Sequence, residues 1–311
     1  MAAIETRGLT KRFGGDVLAV DGLDLVVEAG EVFGFLGPNG AGKSTTINVL
    51  LDLTRPTAGS AAVLGMDCQE ESQAIRERVG VLPEGFDLYG RLTGRQHVAF
   101  AARAKGVEGD PEAILDRVGL DGEAADRTVA GYSKGMRQRL ALGMALVGDP
   151  EVLILDEPSS GLDPTGIEEV RRLVRAEADR GTTVFFSSHI LTEVEAACDR
   201  VGVLHEGSLV ATGTLEELRS SFADDERLEV SLRRVPDDAA SRIEGIDGVT
   251  DVTVDGRTVV VSCGHPAAKA AVVVALHDAG ADIVDLHTHE GSLDDVFAAL
   301  TGRVEGGGDG R

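Results

Sequence analysis

The sequence predicts an α/β core followed by a small α+β domain. An apolar strand, Val32–Leu36, runs directly into a glycine-rich turn. Two later segments, Val152–Leu155 and Thr183–Phe186, are almost continuously apolar, which is typical of strands buried on both faces of a parallel sheet. A polar, acidic stretch at residues 220–226 then marks a shift in composition and indicates a domain boundary.

The order of elements within the core follows from apolar spacing and turn residues. Short apolar segments separated by Gly and Asp predict strands, and the glycine-rich turn opens a helix that ends near Leu51. Apolar positions at helical spacing over about residues 93–147 predict a helix-rich block. The strands before this turn are Ile4–Leu9, Val17–Val20, Leu23–Val27 and Val32–Leu36. Near the end of the core, strands at 199–204 and 208–211 lead to a helix at 215–220.

Beyond the polar stretch, the pattern reads strand, helix, hairpin, helix, strand and a last helix at Ser292–Phe297, an order typical of a split β-α-β domain. The turn Asp255-Gly256 supports the hairpin. The predicted domains are residues 4–221 for the core, 222–227 for a linker, 228–302 for the accessory domain and 303–311 for a disordered tail. The elements before the last helix are Leu228–Arg233, Asp238–Glu244, Val249–Val254, Thr258–Cys263, Pro266–Ala279 and Ile283–His287.

Length and composition exclude several classes of protein. With 42% hydrophobic residues among 311, the chain can bury a core, yet no apolar run approaches the roughly 18 residues of a membrane span. The N terminus lacks the apolar segment of a secretory signal. Cys68, Cys198 and Cys263 are far apart, which indicates reduced, structural thiols in a cytoplasmic protein.

The net charge of −23 argues against general nucleic-acid binding, because phosphate contacts need clustered Lys and Arg. The chain is also poor in lysine, and such an acidic surface resembles proteins from salt-loving organisms, in which cations screen the self-repulsion. We therefore expect a higher thermal midpoint in molar KCl than in low salt. Equal midpoints in thermal melts would instead indicate an ordinary acidic cytoplasmic protein.

The glycine-rich turn fits the phosphate-binding pattern G-x-x-x-x-G-K-[ST] without a mismatch. Its backbone N–H groups can surround a polyphosphate, and the helix that begins near Lys43 directs its positive end at the same charge. Lys43 would reach the β- and γ-phosphates, and Ser44 would bind Mg²⁺. A nucleoside triphosphate site is therefore favoured over a chance glycine-rich turn. The loop consists of Gly37, Pro38, Asn39, Gly40, Ala41, Gly42, Lys43, Ser44 and Thr45.

Two adjacent carboxylates follow the apolar strand Val152–Leu155. Carboxylates at the end of a buried strand are costly unless a cation or a proton offsets them. Asp156 therefore suits a Mg²⁺ ligand, and Glu157 suits the base that polarises an attacking water. The plain alternative is a solvated strand end that enters the turn at Pro158.

Three more features have both a structural and a functional interpretation. Ser133 precedes an apolar helical run, either as a simple N-cap or as part of a helix start that binds an anion. A tight polar turn, Ser160–Asp163, follows Glu157. His189 comes directly after the strand at 183–186, where a lone histidine is more often structural than catalytic.

In this order, these features closely resemble the nucleotide-binding subunit of ABC (ATP-binding cassette) transporters, over about residues 4–220. The resemblance implies a P-loop NTPase core with an antiparallel β subdomain and a helical subdomain, and it implies hydrolysis of ATP with Mg²⁺. By this resemblance Gly37–Thr45 is the Walker A loop, Ser133–Gln138 is the signature segment and Val152–Glu157 is the Walker B strand. Glu157, His189 and Lys43 then form the catalytic set.

The resemblance also assigns roles to residues outside these three motifs. The D-loop would comprise Ser160, Gly161, Leu162 and Asp163. His189 would be the switch histidine near the γ-phosphate. Phe13 occupies the position of an aromatic ring that stacks on adenine, an interaction worth about 1–3 kcal/mol, although a buried core phenylalanine is the alternative.

Two positions depart from the family pattern. The signature reads Ser133-Lys134-Gly135-Met136 where the family has Ser-Gly-Gly-Gln, and it resembles a variant common in one branch of exporters. Glu84 stands where the family has a glutamine. Its carboxylate can still contact Mg²⁺ or water, but it adds a negative charge.

The resemblance further implies an ATP sandwich. The loop around Lys43 of one subunit would meet Ser133 and Gly135 of another, so that two chains, as a homodimer or a heterodimer of cassettes, close over two nucleotides. Loss of phosphate would let them separate. A separate permease would dock near residues 84–93 and hold the chain, as a peripheral protein, at the cytoplasmic face of the membrane.

The segment Ser292–Gly302 resembles the tail of cassettes from multidrug, antibiotic, polysaccharide and ion exporters, and export is therefore expected. A regulatory or dimer-stabilising role is expected for the accessory domain, because no cluster of convergent polar residues occurs in it. The alternatives are an importer subunit, a soluble ABC-type ATPase of repair or ribosomes, and a module that binds ATP without hydrolysis. The pair Asp156-Glu157 and His189 disfavour the last, and the net acidity disfavours a nucleic-acid partner.

Overall fold

The apolar strands predicted from the sequence form the centre of one parallel sheet. The computed structural model describes residues 1–222, 226–236 and 238–289, which divide into two units between Thr214 and Leu215. The elements of the first unit are β1 (Ala2–Phe13), β2 (Val17–Glu28), β3 (Val32–Leu36), α1 (Lys43–Leu50), β4 (Ala58–Val63), β5 (Met66–Asp67), α2 (Ser72–Arg78), β6 (Val79–Leu82), α3 (Gly94–Lys105), α4 (Pro111–Arg117), α5 (Glu123–Asp126), α6 (Lys134–Ala145), β7 (Val152–Asp156), α7 (Pro164–Asp179), β8 (Thr183–Ser188), α8 (Leu191–Ala197), β9 (Arg200–His205) and β10 (Ser208–Thr214).

The central sheet has six strands in the order β10-β9-β3-β8-β7-β6. Strands β9, β3, β8, β7 and β6 run parallel, and β10 returns antiparallel to β9. Every residue of β3, β7 and β8 is buried, which is why these strands read as continuous apolar runs. The rings of Phe33 and Phe185 stack across β3 and β8 with centroids 6.0 Å apart. The P-loop NTPase core is therefore confirmed.

A second sheet of the same unit is antiparallel, in the order β2-β1-β4-β5. The prediction of two separate strands at 17–20 and 23–27 is wrong, because both belong to β2. Gly22 lies between them with φ +58°, and its N–H donates to Thr10 Oγ1 at 3.1 Å. An irregularity in pairing at this point, rather than a turn, accommodates the glycine within one strand.

The block predicted to be helical contains α3 to α6 and a 3₁₀ turn at Val129–Gly131. Sequence capping signals fix two of its helix starts. Thr93 and Gln96 form a capping box at α3, and Asp110 accepts hydrogen bonds from the backbone at the start of α4. The strand β4, with the sequence Ala-Gly-Ser-Ala-Ala-Val, lacks a strand pattern of its own and is held by pairing with β1.

The second unit confirms the predicted split β-α-β arrangement. Its sheet order is β12-β13-β11-β14, with every pair antiparallel, and its core includes Leu228, Val230, Val261, Val272 and Leu276. The elements are α9 (Leu215–Phe222), β11 (Glu226–Leu232), α10 (Ala239–Glu244), β12 (Val249–Asp255), β13 (Thr258–Cys263), α11 (Pro266–Asp278) and β14 (Ile283–His289).

Some predictions for the C-terminal part concern residues outside the described ranges. The linker predicted at 222–227 covers the end of α9 and the start of β11, and residues 223–225 between them are not described. The predicted helix Ser292–Phe297, the tail motif that ends at Gly302 and the predicted disorder of 303–311 also lie outside the described residues. These remain predictions.

Cys68, Cys198 and Cys263 are buried, and none of them forms a disulfide among the residues that the structure describes. Burial raises the pKa of the Cys68 thiol to about 12, with Asp67 adding to the effect, and burial likewise raises the pKa of Cys198. Both thiols are therefore protonated and unreactive at neutral pH. Within the described ranges, no helix is both long enough and apolar enough to cross a bilayer.

Candidate functional site

The predicted site residues gather at one edge of the central sheet. Because β3, β6, β7 and β8 are parallel, their carboxyl ends lie at this same edge. The loops that leave them begin at Gly37, Pro83, Glu157 and His189. Residues far apart in sequence are thereby brought together where ligands of open α/β sheets bind.

The glycine-rich loop enters α1 through a residue that needs a left-handed backbone. Gly42 has φ +109°, and a Cβ built on it would lie 2.3 Å from the backbone oxygen of Ala19 on β2. Only glycine fits both conditions. Lys43 then opens α1 and is 6% exposed, while Ser44 is half-buried in the first turn.

The same loop is held from behind by the hairpin of β9 and β10. A Cβ at Gly37 would lie 2.5 Å from the backbone oxygen of Leu204 on β9. The Gly207 N–H, in the turn of the hairpin, donates to the carbonyl oxygen of Ala41 at 2.9 Å. These backbone contacts hold the loop against the hairpin.

Lys43 contacts both its own loop and the acid that follows β7. Its ammonium donates to the carbonyl oxygen of Gly37 at 2.6 Å. It lies 3.3 Å from Glu157 Oε1 as an ion pair without an aligned hydrogen bond, and the side chains of Lys43 and Glu157 are 6% and 8% exposed. A buried cation is therefore placed beside a buried carboxylate, where the low dielectric strengthens their attraction.

Glu157 has an unusual backbone, with φ +51°. A non-glycine residue in this region is strained and persists where its surroundings hold it. Ser187 supplies part of this support, because the Glu157 N–H donates to the carbonyl oxygen of Ser187 at 3.2 Å and to the Ser187 Oγ at 3.1 Å. The ring of His189 then contacts Glu157 Oε2 through Nδ1 at 2.8 Å. Since a carboxylate only accepts, Nδ1 carries the hydrogen in this contact.

Asp156 and Glu84 supply further oxygen atoms. Asp156, which is 6% exposed, accepts a hydrogen bond from Ser187 Oγ at 2.5 Å. Glu84 is exposed in the loop after β6, and Glu84, Asp156 and Glu157 line one cavity of about 360 Å³. Hydroxyl and carboxylate oxygens are the ligands that Mg²⁺ prefers, so the chemistry of Ser44, Asp156 and Glu84 suits such an ion, and their role as its ligands stays a prediction.

Ser133 and Gly135 lie at the start of α6. The Ser133 hydroxyl accepts from the Met136 N–H at 3.2 Å, which confirms that Ser133 is an N-cap, and the residue is exposed. The turn predicted to be the D-loop starts at Ser160 and ends where Asp163 caps α7, by accepting from the Gly166 N–H at 3.0 Å. A functional role for Ser133 would use the exposed side of the same cap.

Phe13 lies at the end of β1, in the antiparallel sheet, and is 43% exposed. The Lys11 ammonium lies 4.7 Å from the centre of its ring. The alternative of a buried core phenylalanine is therefore wrong, because the residue is exposed at the surface beside Lys11.

The structural roles of three serines and one acid were not predicted from the sequence. Ser187 holds both Asp156 and Glu157, and Ser159 and Ser188 both donate to the buried Glu193 of α8. The short run Ser187-Ser188 before His189 was the available signal for the strand end. Nothing in the sequence pairs Ser159 with Glu193, because the contact spans 34 residues.

This arrangement defines a P-loop ATPase, with a phosphate loop, a buried lysine and a carboxylate–histidine pair at one sheet edge. The comparisons with known proteins give the family. Residues 20–160 match the ABC transporter family model, and residues 213–301 match the C-terminal domain of DrrA1-3-like ATP-binding proteins. The chain belongs to the ATP-binding subunits of ABC transporters, and it is an ATP-hydrolysing subunit that powers transport across a membrane.

Relatives match the chain over almost its whole length. The daunorubicin resistance ATP-binding protein DrrA3 of Streptomyces coeruleorubidus is 40% identical, over 96% of each chain. The bacitracin transport ATP-binding protein BcrA of Bacillus licheniformis is 36% identical, over 96% of this chain and 97% of that protein. Among solved structures, an ATP-binding subunit of an ABC transporter superposes with a TM-score of 0.63 at 30% identity, over 71% of this chain and 93% of that one.

Proposed function

We propose that this chain energises an exporter of antibiotic-like compounds, as a peripheral subunit at the cytoplasmic face of the membrane. The observation that carries the proposal is the end-to-end match to resistance and antibiotic-transport subunits, which includes the DrrA-like C-terminal domain. The compound itself would be selected by a separate permease. The chain supplies the free energy of ATP hydrolysis.

The contacts of the sheet edge support a distinct role for each residue. Lys43, now paired with Gly37 and Glu157, would exchange these contacts for the β- and γ-phosphates of ATP. Glu157 would accept the proton of the attacking water, and His189, at 2.8 Å from its carboxylate, would orient it. Ser44 and Asp156 would hold Mg²⁺, which neutralises charge on the phosphates when it is bound.

We further propose that two cassettes, either two copies of this chain or this chain and a related one, close over two ATP molecules. Lys43, Glu157 and His189 are joined by contacts within one chain, while Ser133 and Gly135 lie at the exposed or half-exposed start of α6. The start of a helix of 12 residues presents free N–H groups that suit a phosphate carried by a partner. Phe13 would stack on the adenine ring.

The permease would dock beside the loop after β6. A cavity of about 420 Å³ there is lined largely by apolar side chains, including Phe86, Leu88 and Phe100. Phe100 is 51% exposed and the nearby Tyr89 is 65% exposed, with their rings in edge-to-face contact. Exposed aromatic residues beside an apolar groove are typical of protein contacts.

Transport assays test the direction. Inside-out vesicles that contain the chain and its permease are expected to accumulate a fluorescent anthracycline when ATP is added, and vesicles with Glu157→Gln are expected not to. ATP-driven loss of the compound from such vesicles would indicate import and contradict the proposal.

Copurification tests the docking surface. Tyr89→Asp should release the permease, while Leu53→Asp, at an equally exposed apolar residue elsewhere, should retain it.

A further inference from the structure

A buried carboxylate outside the assigned motifs joins two loops of the site. Glu193 lies on α8 and is 8% exposed. One of its oxygens, Oε2, accepts hydrogen bonds from Ser159 Oγ at 2.5 Å and from Ser188 Oγ at 3.0 Å. Ser159 directly precedes the D-loop, and Ser188 directly precedes His189. One atom therefore ties together the two segments that leave β7 and β8.

These contacts complete a closed ring that contains the catalytic pair. Glu157 is connected through the chain to Ser159, which bonds to Glu193, which bonds to Ser188. Ser188 leads along the chain to His189, and His189 returns to the Glu157 carboxylate at 2.8 Å. A displacement of Glu193 would therefore reach both ends of the Glu157–His189 contact.

The geometry around His189 is fixed by the same hydroxyl group. Ser188 Oγ accepts from the Ile190 N–H at 3.0 Å while it donates to Glu193. The bond between Ser188 and Ile190 spans His189 and stabilises the turn in which His189 lies. The strained backbone of Glu157, with φ +51°, also depends on neighbours to hold it.

Burial of the Glu193 carboxylate is energetically unfavourable, and packing alone does not account for a charged residue at this position. Its second oxygen, Oε1, is buried without a hydrogen-bond partner. Ser159 and Glu193 line a cavity of about 240 Å³ whose other walls are largely apolar, including Ile167, Val170 and Phe186. A buried carboxylate with one unpaired oxygen in such surroundings is unfavourable, whereas an apolar residue would fill the space without that cost.

Helix α8 is itself registered against the strand that carries the phosphate loop. A Cβ built on Gly34 of β3 would lie 2.5 Å from Val194 Cγ1 and 2.8 Å from Cys198 Sγ. The absence of a side chain at Gly34 therefore lets α8 pack this closely against β3. The packing of α8 on β3 places Glu193 relative to the phosphate loop, and the hydrogen bonds from Ser159 and Ser188 to Glu193 place the D-loop and His189 relative to it.

We propose that Glu193 is a positioning residue for ATP hydrolysis, which keeps the D-loop and His189 in register with Glu157. The inference rests on the proposed function of Glu157 and His189 as the hydrolytic pair. It assigns Glu193 no contact with ATP. Removal of the carboxylate should therefore lower kcat and leave the affinity for ATP unchanged.

The test measures kcat, KM and equilibrium ATP binding of the full chain. Glu193→Ala is expected to lower kcat by about tenfold to a hundredfold, as small misplacements of catalytic groups do, with ATP affinity within about twofold of the wild type. Glu193→Gln keeps an oxygen that can accept from both serines, so it should recover most of the lost rate. Thr192→Ala, exposed on the same helix, is the matched control and should leave kcat unchanged.

A double-variant cycle separates positioning from general destabilisation. If Glu193 acts through Ser159, then Ser159→Ala combined with Glu193→Ala should be no slower than the slower single variant. Additive losses, an unchanged kcat in Glu193→Ala, or equal losses in Glu193→Ala and Glu193→Gln would overturn the inference. If Glu193→Ala does not fold, the same measurements are made on Ser159→Ala and Glu193→Gln. Ser159→Ala should then have a lower kcat with unchanged ATP affinity, and Glu193→Gln should have a kcat close to that of the wild type. Absence of hydrolysis in the wild type would instead contradict the proposed function.

Discussion

ATP turnover is expected to fall by about 10²–10⁴-fold when Glu157 is replaced by glutamine, while ATP-dependent dimers persist. The substitution keeps the size of the side chain and removes the charge that accepts a proton. It also removes the carboxylate beside the Lys43 ammonium, which lies 3.3 Å from Oε1, so Lys43 remains free to bind phosphate. Phosphate release and size-exclusion chromatography with ATP measure the two effects separately.

The matched control for this loss of charge is Glu151→Gln. Glu151 lies at the opposite end of β7, exposed, and forms an ion pair with Arg78 that holds the pKa of the carboxyl below its usual range. We expect its phosphate release to equal that of the wild type. Unchanged phosphate release in Glu157→Gln, or loss of ATP-dependent dimers in that variant alone, would overturn the role given to Glu157.

Loss of ATP binding is expected for Gly42→Ala, the second large effect. The new methyl group would lie 2.3 Å from the carbonyl oxygen of Ala19, and the residue would keep φ near +109°. The left-handed backbone alone costs an alanine about 1–2 kcal/mol, and the overlap with rigid backbone adds to it. The loop must then shift away from the phosphates, so nucleotide titration should show no saturable binding.

Gly15→Ala is the control that separates the cost of a left-handed backbone from the cost of the steric contact with Ala19. Gly15 has φ +88°, and a Cβ there would meet nothing within 4 Å. The free energy of unfolding of Gly15→Ala, from thermal or denaturant melts, should therefore fall only by the cost of the left-handed backbone. The variant should bind ATP as the wild type does. Equal nucleotide affinity in Gly42→Ala and Gly15→Ala would show that the contact with Ala19 does not shape the loop.

Much of the core was predictable because its signals are local. The phosphate loop is a continuous segment, and Asp156 and Glu157 follow directly from a strand whose burial is visible in its composition. The N-cap at Ser133 also needs only its own helix. In contrast, β4 consists of small residues and becomes a strand because β1 and β5 pair with it, which a local pattern does not contain.

The network around the Glu157–His189 contact could not be predicted, because its signals are not local either. Glu193 carries no motif of its own, and its partners Ser159 and Ser188 read as ordinary turn serines. Their contacts depend on how α8 packs beside β3, where Gly34 admits Val194 at close range. The bulge at Gly22 was misread as a turn, because glycine is permitted in both and the distinction depends on cross-strand pairing.

The backbone support behind the phosphate loop has a consequence for how fast nucleotides enter and leave. Leu204 lies against the backbone of the loop at Gly37, and the Gly207 N–H donates to the carbonyl oxygen of Ala41, so the loop is ordered by contacts within the protein. A loop already ordered gives up little conformational entropy when ATP arrives. If the two cassettes close over ATP as proposed, their opening and closing should govern the dwell time of the nucleotide, because the phosphate loop needs little rearrangement to bind it.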